Sequence, residues 1–209
     1  AIRAKVGAQR VEFVEGDRYV NAASYWVEEE VDVAAAVRAA ARADYIVLAL
    51  GENSYTEKPG DLHDLTLSEQ QLRLAEALAA TGKPVILVPN QGRPRIIRRI
   101  EPLMKGVLQA YLPGNFGGLA VADVLFGSIN PSGKLPFTYP MYTNSLVTYD
   151  HKPSEHQAKM AGAYDYESDF AVQYPFGFGL SYTEFTYSDL RLSSEELTAA
   201  GELEVQVTL

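Results

Sequence analysis

The chain has 209 residues, 47% of them apolar, which is enough for one full domain and part of another. A formal net charge of −9 argues against nucleic acid as a partner, because phosphate-binding surfaces are basic, whereas neutral sugars suit an acidic protein. The absence of cysteine excludes disulfides and thiolate metal sites, and no apolar run reaches the length of a membrane-spanning helix.

The spacing of Ile2 to Ala8 predicts a helix, and Val11 to Val14 a short strand closing at Glu15-Gly16-Asp17. Asn21 to Glu30 reads as a polar and aromatic loop. Asp32 is placed to cap an alanine-rich helix running to about Ala43. Tyr45 to Leu50 is uninterrupted apolar sequence, the pattern of a strand buried on both faces. After a loop, Thr66 or Ser68 caps a helix with Leu72, Leu74, Ala75 and Leu78 as its buried stripe, ended by Thr81-Gly82.

Pro84 to Val88 predicts the next buried strand, delivering Asn90, Gln91, Gly92 and Arg93 at its end, with a basic helix to follow. Val107 to Leu112 predicts a third strand, closed by Pro113-Gly114, and Asn115 opens the helix that carries Ala120, Val121, Val124, Leu125 and Phe126. Strand, loop and helix repeating in this way make an α/β fold, a mostly parallel sheet sandwiched by helices. From Gly127 the helical period is lost, and Met141 to Phe170 reads as irregular connection. Tyr174 to Tyr182 is too aromatic for a free linker. A new β-domain is expected from about Thr183, and the alternation of Leu203, Val205, Val207 and Leu209 predicts a half-buried strand without a partner in this sequence. Both ends therefore read as interior to a longer protein.

Chemistry concentrates in the loop after Leu50. Gly51 is followed by Glu52, Asn53, Ser54, Tyr55, Glu57, Lys58, Asp61, His63 and Asp64, with Gly60 offering backbone freedom before Asp61. A polar loop after a buried strand lies where open α/β sheets bind ligands. By spacing, Glu52 and Glu57 are both candidate acids, Glu52 having the alternative role of bonding loop amides at the strand end. Asp61 reads as a turn-former ahead of its alternative, binding sugar hydroxyls, and His63, without a paired histidine, makes a metal site improbable. His151 and His156 are weaker still. Arg93 and Arg95 reach either a ligand or, with Arg98 and Arg99, a solvated helix face. The glycines of Asn115-Phe116-Gly117-Gly118 serve either an anion at a helix start or tight packing, and Trp26 serves sugar stacking or packing.

The run from Gly51 to Asp61, G-E-x-x-Y-T-E-x-x-G-D, resembles the acid/base loop of the family 3 glycoside hydrolases of β-glucosidase and glucan exohydrolase type. TGKPVILVPNQGRPR (81–95), AYLPGNFGGLAVADVLFGSINPSGKLPFTYP (110–140) and YPFGFGLSYTEFTYS (174–188) resemble further segments of that family, in its order. The resemblance implies that Glu57 is the proton donor. It also implies an α/β sandwich domain over 1–140, an irregular connection over 141–182 packing on it, and over 183–209 the start of a fibronectin III-like β-sandwich. A barrel N-terminal to this chain would carry the nucleophilic aspartate. The implied activity is exo-acting, retaining hydrolysis of terminal β-glucosyl residues from glucosides or oligosaccharides, with no cofactor and no metal. A well-formed acid loop argues against members that cleave N-acetylglucosaminides, which are thought to draw their acid from the barrel. The implied address is periplasmic or extracellular. The competing reading is a non-catalytic α/β module that holds a small polar ligand; it lacks the glycine-rich turn a nucleotide or flavin would need.

Overall fold

The computed structural model describes residues 1–20, 24, 26–55, 58–152 and 171–209. Helix α1 (Ile2–Val6) is followed by a 3-10 turn at Ala8–Arg10. Val11 to Val14 is not a strand; the extended pairing lies further on, as an antiparallel bridge between Tyr19 and Glu28. Phe13 faces solvent while Val14 packs on the core, and the segment pairs with no strand among the described residues. Helix α2 (Val33–Ala40) starts at Asp32, whose carboxylate accepts the Ala35 N–H at 2.8 Å and satisfies one of the free donors of the first turn.

The central sheet is parallel and three-stranded, in the order β1 (Ile46–Gly51), β2 (Val85–Asn90), β3 (Gly106–Val107), with helix α3 (Glu69–Ala79) crossing over between β1 and β2. Ile46 pairs with Val85 and the register runs unbroken to Gly51 opposite Asn90. Past the two paired residues of β3 the hydrogen bonding to β2 continues, from Leu108 N to Leu87 O and from Ala110 N to Pro89 O. Tyr111, at φ 54, then turns the chain away. Ser68 caps α3 through the Gln71 N–H, and Gly82 at φ 75 follows its end.

One core lies between the sheet and the two helices. It joins Ala36 and Ala40 of α2 and Leu72, Ala75 and Leu78 of α3 to Leu48, Leu50, Val85 and Leu87 of the strands, with Ile97, Ile100 and Tyr139 closing it. β2 is buried along most of its length. β1 departs from the expected double burial: Leu48 and Leu50 are inside, but Val47 is 40% exposed and Tyr45, just before the strand, 68%. β1 sits at the edge of this sheet, and α2 and α3 cover only its Leu48 and Leu50 face.

The basic helix expected after Arg93 does not form; no α-helix lies between β2 and β3. The chain bends at Gly92 and Arg93, Ile96 makes a parallel bridge to Thr66, and a 3-10 turn at Glu101–Leu103 is the helical structure that forms before β3. Helix α4 (Gly117–Leu125) begins two residues after Asn115, and no side chain caps it. Only Gly117 and Ala122 of α4 are buried, and a Cβ on Gly117 would lie 2.3 Å from Pro113, so tight packing accounts for that glycine.

Beyond α4, β4 (Tyr139–Pro140) pairs antiparallel with β5 (Val172–Tyr174). A chain of rings runs Tyr111, Phe137, Tyr139, Tyr174, Phe178, ending in a stacked pair 4.8 Å apart. Leu135 and Phe178 are tied by backbone bonds, as are His151 and Phe176. The last strand was expected to lack a partner here and to be half-buried. Instead β7 (Val205–Thr208) pairs antiparallel with β6 (Ser188–Leu192), and both strands are exposed throughout.

Candidate active site

The polar loop leaves the sheet at Gly51, where β1 and β2 approach so closely that a Cβ would lie 1.8 Å from the Asn90 carbonyl oxygen. With φ at 152° as well, only glycine fits. A wholly buried side chain, Gln71 of α3, holds this strand end from both sides. Its Oε1 accepts the Gly51 N–H at 2.9 Å, and its Nε2 donates to Gly51 O at 2.9 Å and to Glu28 Oε1 at 2.8 Å. Tyr19 donates its hydroxyl to the same carbonyl at 2.7 Å. Asp17 lies beside this network. Burial first, and then the negative charge of Glu28, push its carboxyl up to about 6, although the Arg18 amide draws it the other way.

The next residue, Glu52, turns inward, and its side chain is only 2% exposed. Arg93 Nε lies 3.1 Å from its Oε1 and Arg95 Nη1 2.9 Å, while Oε2 accepts the Gly92 N–H at 3.1 Å. Both carboxylate oxygens are thus engaged by donors from the segment that follows β2. This is the amide-bonding role available to Glu52, extended by two guanidinium groups, and it leaves the carboxylate committed to holding two loops together.

Arg95 also grips the far end of the same loop, donating from Nε to Leu65 O at 2.9 Å and from Nη2 to Thr66 O at 2.5 Å. One guanidinium therefore spans the mouth of the loop from Glu52 to Thr66. It is backed from below: Tyr139 donates its hydroxyl to Arg95 O at 2.6 Å and accepts from Gln91 Nε2 at 2.8 Å. Asp64 fixes the turn into α3. Its Oδ1 accepts from Thr66 N at 2.7 Å and from Thr143 Oγ1 at 2.9 Å, and the amide bond above all holds its carboxyl below the usual range.

Inside the loop, the Tyr55 ring lies against Gly60 and Gly92. Gly60 has no positive φ, so backbone freedom is not its role; a Cβ there would sit 2.2 Å from the Tyr55 ring. A Cβ on Gly92 would come within 2.4 Å of the Tyr55 hydroxyl. The Arg93 guanidinium covers the ring at 4.1 Å from its centroid, and Arg93 Nε donates to the hydroxyl at 3.0 Å.

The structure thus brings Glu52, Arg93 and Arg95 together and leaves Asp61 and His63 exposed on the loop. Arg98 and Arg99 go elsewhere, Arg98 over the Tyr142 ring and Arg99 to Glu69 and Glu76 of α3. The His151 N–H donates to Thr138 Oγ1 at 2.9 Å, and Trp26 is exposed. Glu57 and His156 lie outside the described residues. Among the described residues no group of three or more histidine, aspartate or glutamate side chains is gathered to hold a metal, and no helix is long and apolar enough to cross a membrane.

Sequence reading placed Tyr55 in the polar loop without giving it a role, and did not single out Gln71 or Tyr139. For Tyr55 a signal existed, because each of its two flanking contacts falls on a glycine, Gly60 and Gly92, that no turn requires.

Residues 1–182 match the family described as the glycosyl hydrolase family 3 C-terminal domain. The chain is 40% identical over 161 residues to a lysosomal beta glucosidase of Dictyostelium discoideum, covering 76% of this chain and 18% of that protein. It is 38% identical over 180 residues to a periplasmic beta-glucosidase of Salmonella typhimurium (82% and 23% covered) and 39% identical over 174 residues to a beta-xylosidase of Formosa agariphila (82% and 24%). Among solved structures, a β-glucosidase of Erythrobacter marinus superposes with a TM-score of 0.70 at 34% identity, covering 90% of this chain and 26% of that one. A Listeria innocua beta-glucosidase in complex with glucose gives 0.63 at 32% identity (78% and 23%). The chain spans about a fifth to a quarter of the length of these relatives.

Proposed function

This chain belongs to glycosyl hydrolase family 3, and from that premise we propose that it is the acid-bearing part of a retaining, exo-acting β-glycosidase that removes terminal β-glucosyl residues. In this reading residues 1–140 are the unit that carries the acid loop, 141–182 are its connection onward, and 183–209 begin a fibronectin III-like β-sandwich. The nucleophilic aspartate comes from an N-terminal barrel of the same protein.

The observation that carries this reading is the doubly anchored loop, held at Glu52 and at Thr66 by Arg95, whose sequence resembles the acid/base loop of the family. Such a loop is worth anchoring because a general acid acts only from within hydrogen-bonding reach of the departing oxygen. Glu57 is the proposed acid, since Glu52 already serves as a buried strut. In the first step the Glu57 carboxyl gives its proton to the glycosidic oxygen as the barrel carboxylate attacks the anomeric carbon, forming a covalent glycosyl-enzyme. In the second step the Glu57 carboxylate takes a proton from water, which displaces the barrel carboxylate and restores the acid.

The relatives bear on sugar and address. Two are beta-glucosidases and one a beta-xylosidase, and a glucoside is the substrate class proposed; comparing kcat/KM for aryl glucoside and aryl xyloside separates the two. The Salmonella relative is named periplasmic, in keeping with a periplasmic or extracellular address.

The decisive experiment replaces Glu57 in the full-length protein. A sugar alkoxide needs its proton to leave, whereas a dinitrophenolate leaves nearly unaided. Glu57→Ala is expected to slow disaccharide cleavage by about 10²- to 10⁴-fold and to slow glycosylation by a dinitrophenyl glycoside far less, with azide restoring turnover of the trapped intermediate. Azide rescue of Glu52→Ala, with none for Glu57→Ala, would assign the acid to the other glutamate.

A further inference from the structure

We infer that Tyr55 is a positioning residue for the general acid, an inference that rests on the proposed role of Glu57. Three separate contacts meet on this one ring. Gly60 lies so close that a single added carbon would stand 2.2 Å from the ring, and Gly92 so close that one would stand 2.4 Å from the hydroxyl. Arg93 lies over the face at 4.1 Å and donates to the hydroxyl at 3.0 Å, and the hydroxyl in turn faces Glu52 Oε2 at 3.4 Å.

The arrangement closes the chain on itself around a side chain. Tyr55 begins the interval and Gly60 ends it against the same ring, while Gly92 and Arg93 fix that ring to the segment after β2. Glu57 falls within that interval in sequence. A rigid aromatic side chain has two torsions to lose and a large face to pack, so it is well suited to act as a former for a short loop. Gly92 and Arg93, in contact with the ring, also meet Glu52, so the ring and the ion cluster form one support. Since a displacement of about 1 Å in a reacting group costs on the order of 10²-fold in rate, such a support has a kinetic consequence without touching substrate.

The test uses the full-length protein and two glycosides of the same sugar, a disaccharide and a dinitrophenyl glycoside. Tyr55→Ala is expected to lower kcat/KM on the disaccharide by about 10²-fold while reducing glycosylation by the dinitrophenyl glycoside by less than about fivefold. Placed in a Glu57→Ala background, Tyr55→Ala should lower disaccharide cleavage by less than about threefold further, because a misplaced acid and a missing acid are the same defect. Tyr55→Phe keeps the ring and should restore most of the selectivity.

Gly60→Ala supplies an independent route, since it displaces the ring without truncating it, and the same leaving-group dependence is expected. Equal losses on both substrates, or full additivity with Glu57→Ala, would show that Tyr55 only holds the fold and would overturn the inference. If neither Tyr55→Ala nor Gly60→Ala accumulates as folded protein, the positioning role is likewise rejected in favour of a stability role. If Glu57→Ala itself lacks leaving-group dependence, the assignment of the acid falls, and this inference with it. If Glu57→Ala has that dependence and the Tyr55 and Gly60 variants lack it, this inference alone falls.

Discussion

The Glu52 cluster and the Arg99 cluster are made of the same parts, arginines against carboxylates, yet they differ in what surrounds them. Around Glu52 the three side chains are 2%, 20% and 13% exposed; around Arg99 they are 41%, 51% and 35%. Arg99 meets Glu76 at 2.5 Å and Glu69 at 2.8 Å, contacts as short as any at Glu52, and its hydrogen bonds hold both carboxyls below the ordinary range. Distance is therefore not what separates them. In the exposed cluster water and salt compete for each charge, whereas at Glu52 the loss of one partner leaves buried charges with nothing to replace it.

That contrast breaks most readily at Glu52. Glu52→Ala should cost about 3–5 kcal/mol, the range for removing one partner from a buried ion pair, and two half-buried arginines lose the carboxylate they share. Urea denaturation of the variant measures this, and a loss no larger than that at Arg99 would abolish the distinction.

Asp17 sharpens the comparison because it is a half-buried carboxyl that faces another acid, Glu28. Its folded value, about 6, stands above the ordinary 3.8, so the folded state favours the protonated form. Stability from this group is therefore full below about pH 4 and is lost as pH rises through about 6. Asp17→Asn should match the parent below pH 4 and exceed it above pH 6, by about 1 kcal/mol once solvent screening is allowed for. Denaturation midpoints across that window check both the sign and the size.

The smallest effect belongs to the exposed cluster. Arg99→Ala should move the urea midpoint by much less than either change above, and the shift should disappear in about 1 M salt.

The two clusters also mark how far local sequence could be read. Asp32 and Ser68 were recognisable as caps, and the Leu72, Leu74, Ala75 and Leu78 stripe as buried, because each depends on neighbours within a turn or two. Burial of one face of β1 followed from its apolar run. The exposure of Val47 did not, since a run of apolar residues says nothing about which helices will cover it.

Arg93, Arg95, Arg98 and Arg99 had the spacing of a basic helix face, yet the chain bridges to Thr66 at Ile96 and turns after it, so Arg93 and Arg95 meet Glu52 while Arg98 lies over Tyr142 and Arg99 pairs with Glu69 and Glu76. The partner that decides the role of Glu52 lies 43 residues away, and no local pattern carries that information. The same holds for β6 and β7, whose pairing joins residues on either side of a polar turn that the alternation of one strand could not reveal.

Tyr139 gives the Arg95 clip a history as well as a shape. The carbonyl it holds lies 44 residues earlier, and the buried Gln91 amide it satisfies lies 48 earlier. At roughly 5–20 residues per second, a ribosome reaches Tyr139 about 2–9 s after Arg95 has been added. During that time the nascent chain carries β1, α3 and β2 with an amide that has yet to meet its hydroxyl. The finished clip is thus a late event in synthesis, and the interval before it is the period in which a chaperone would find this half-built sheet open.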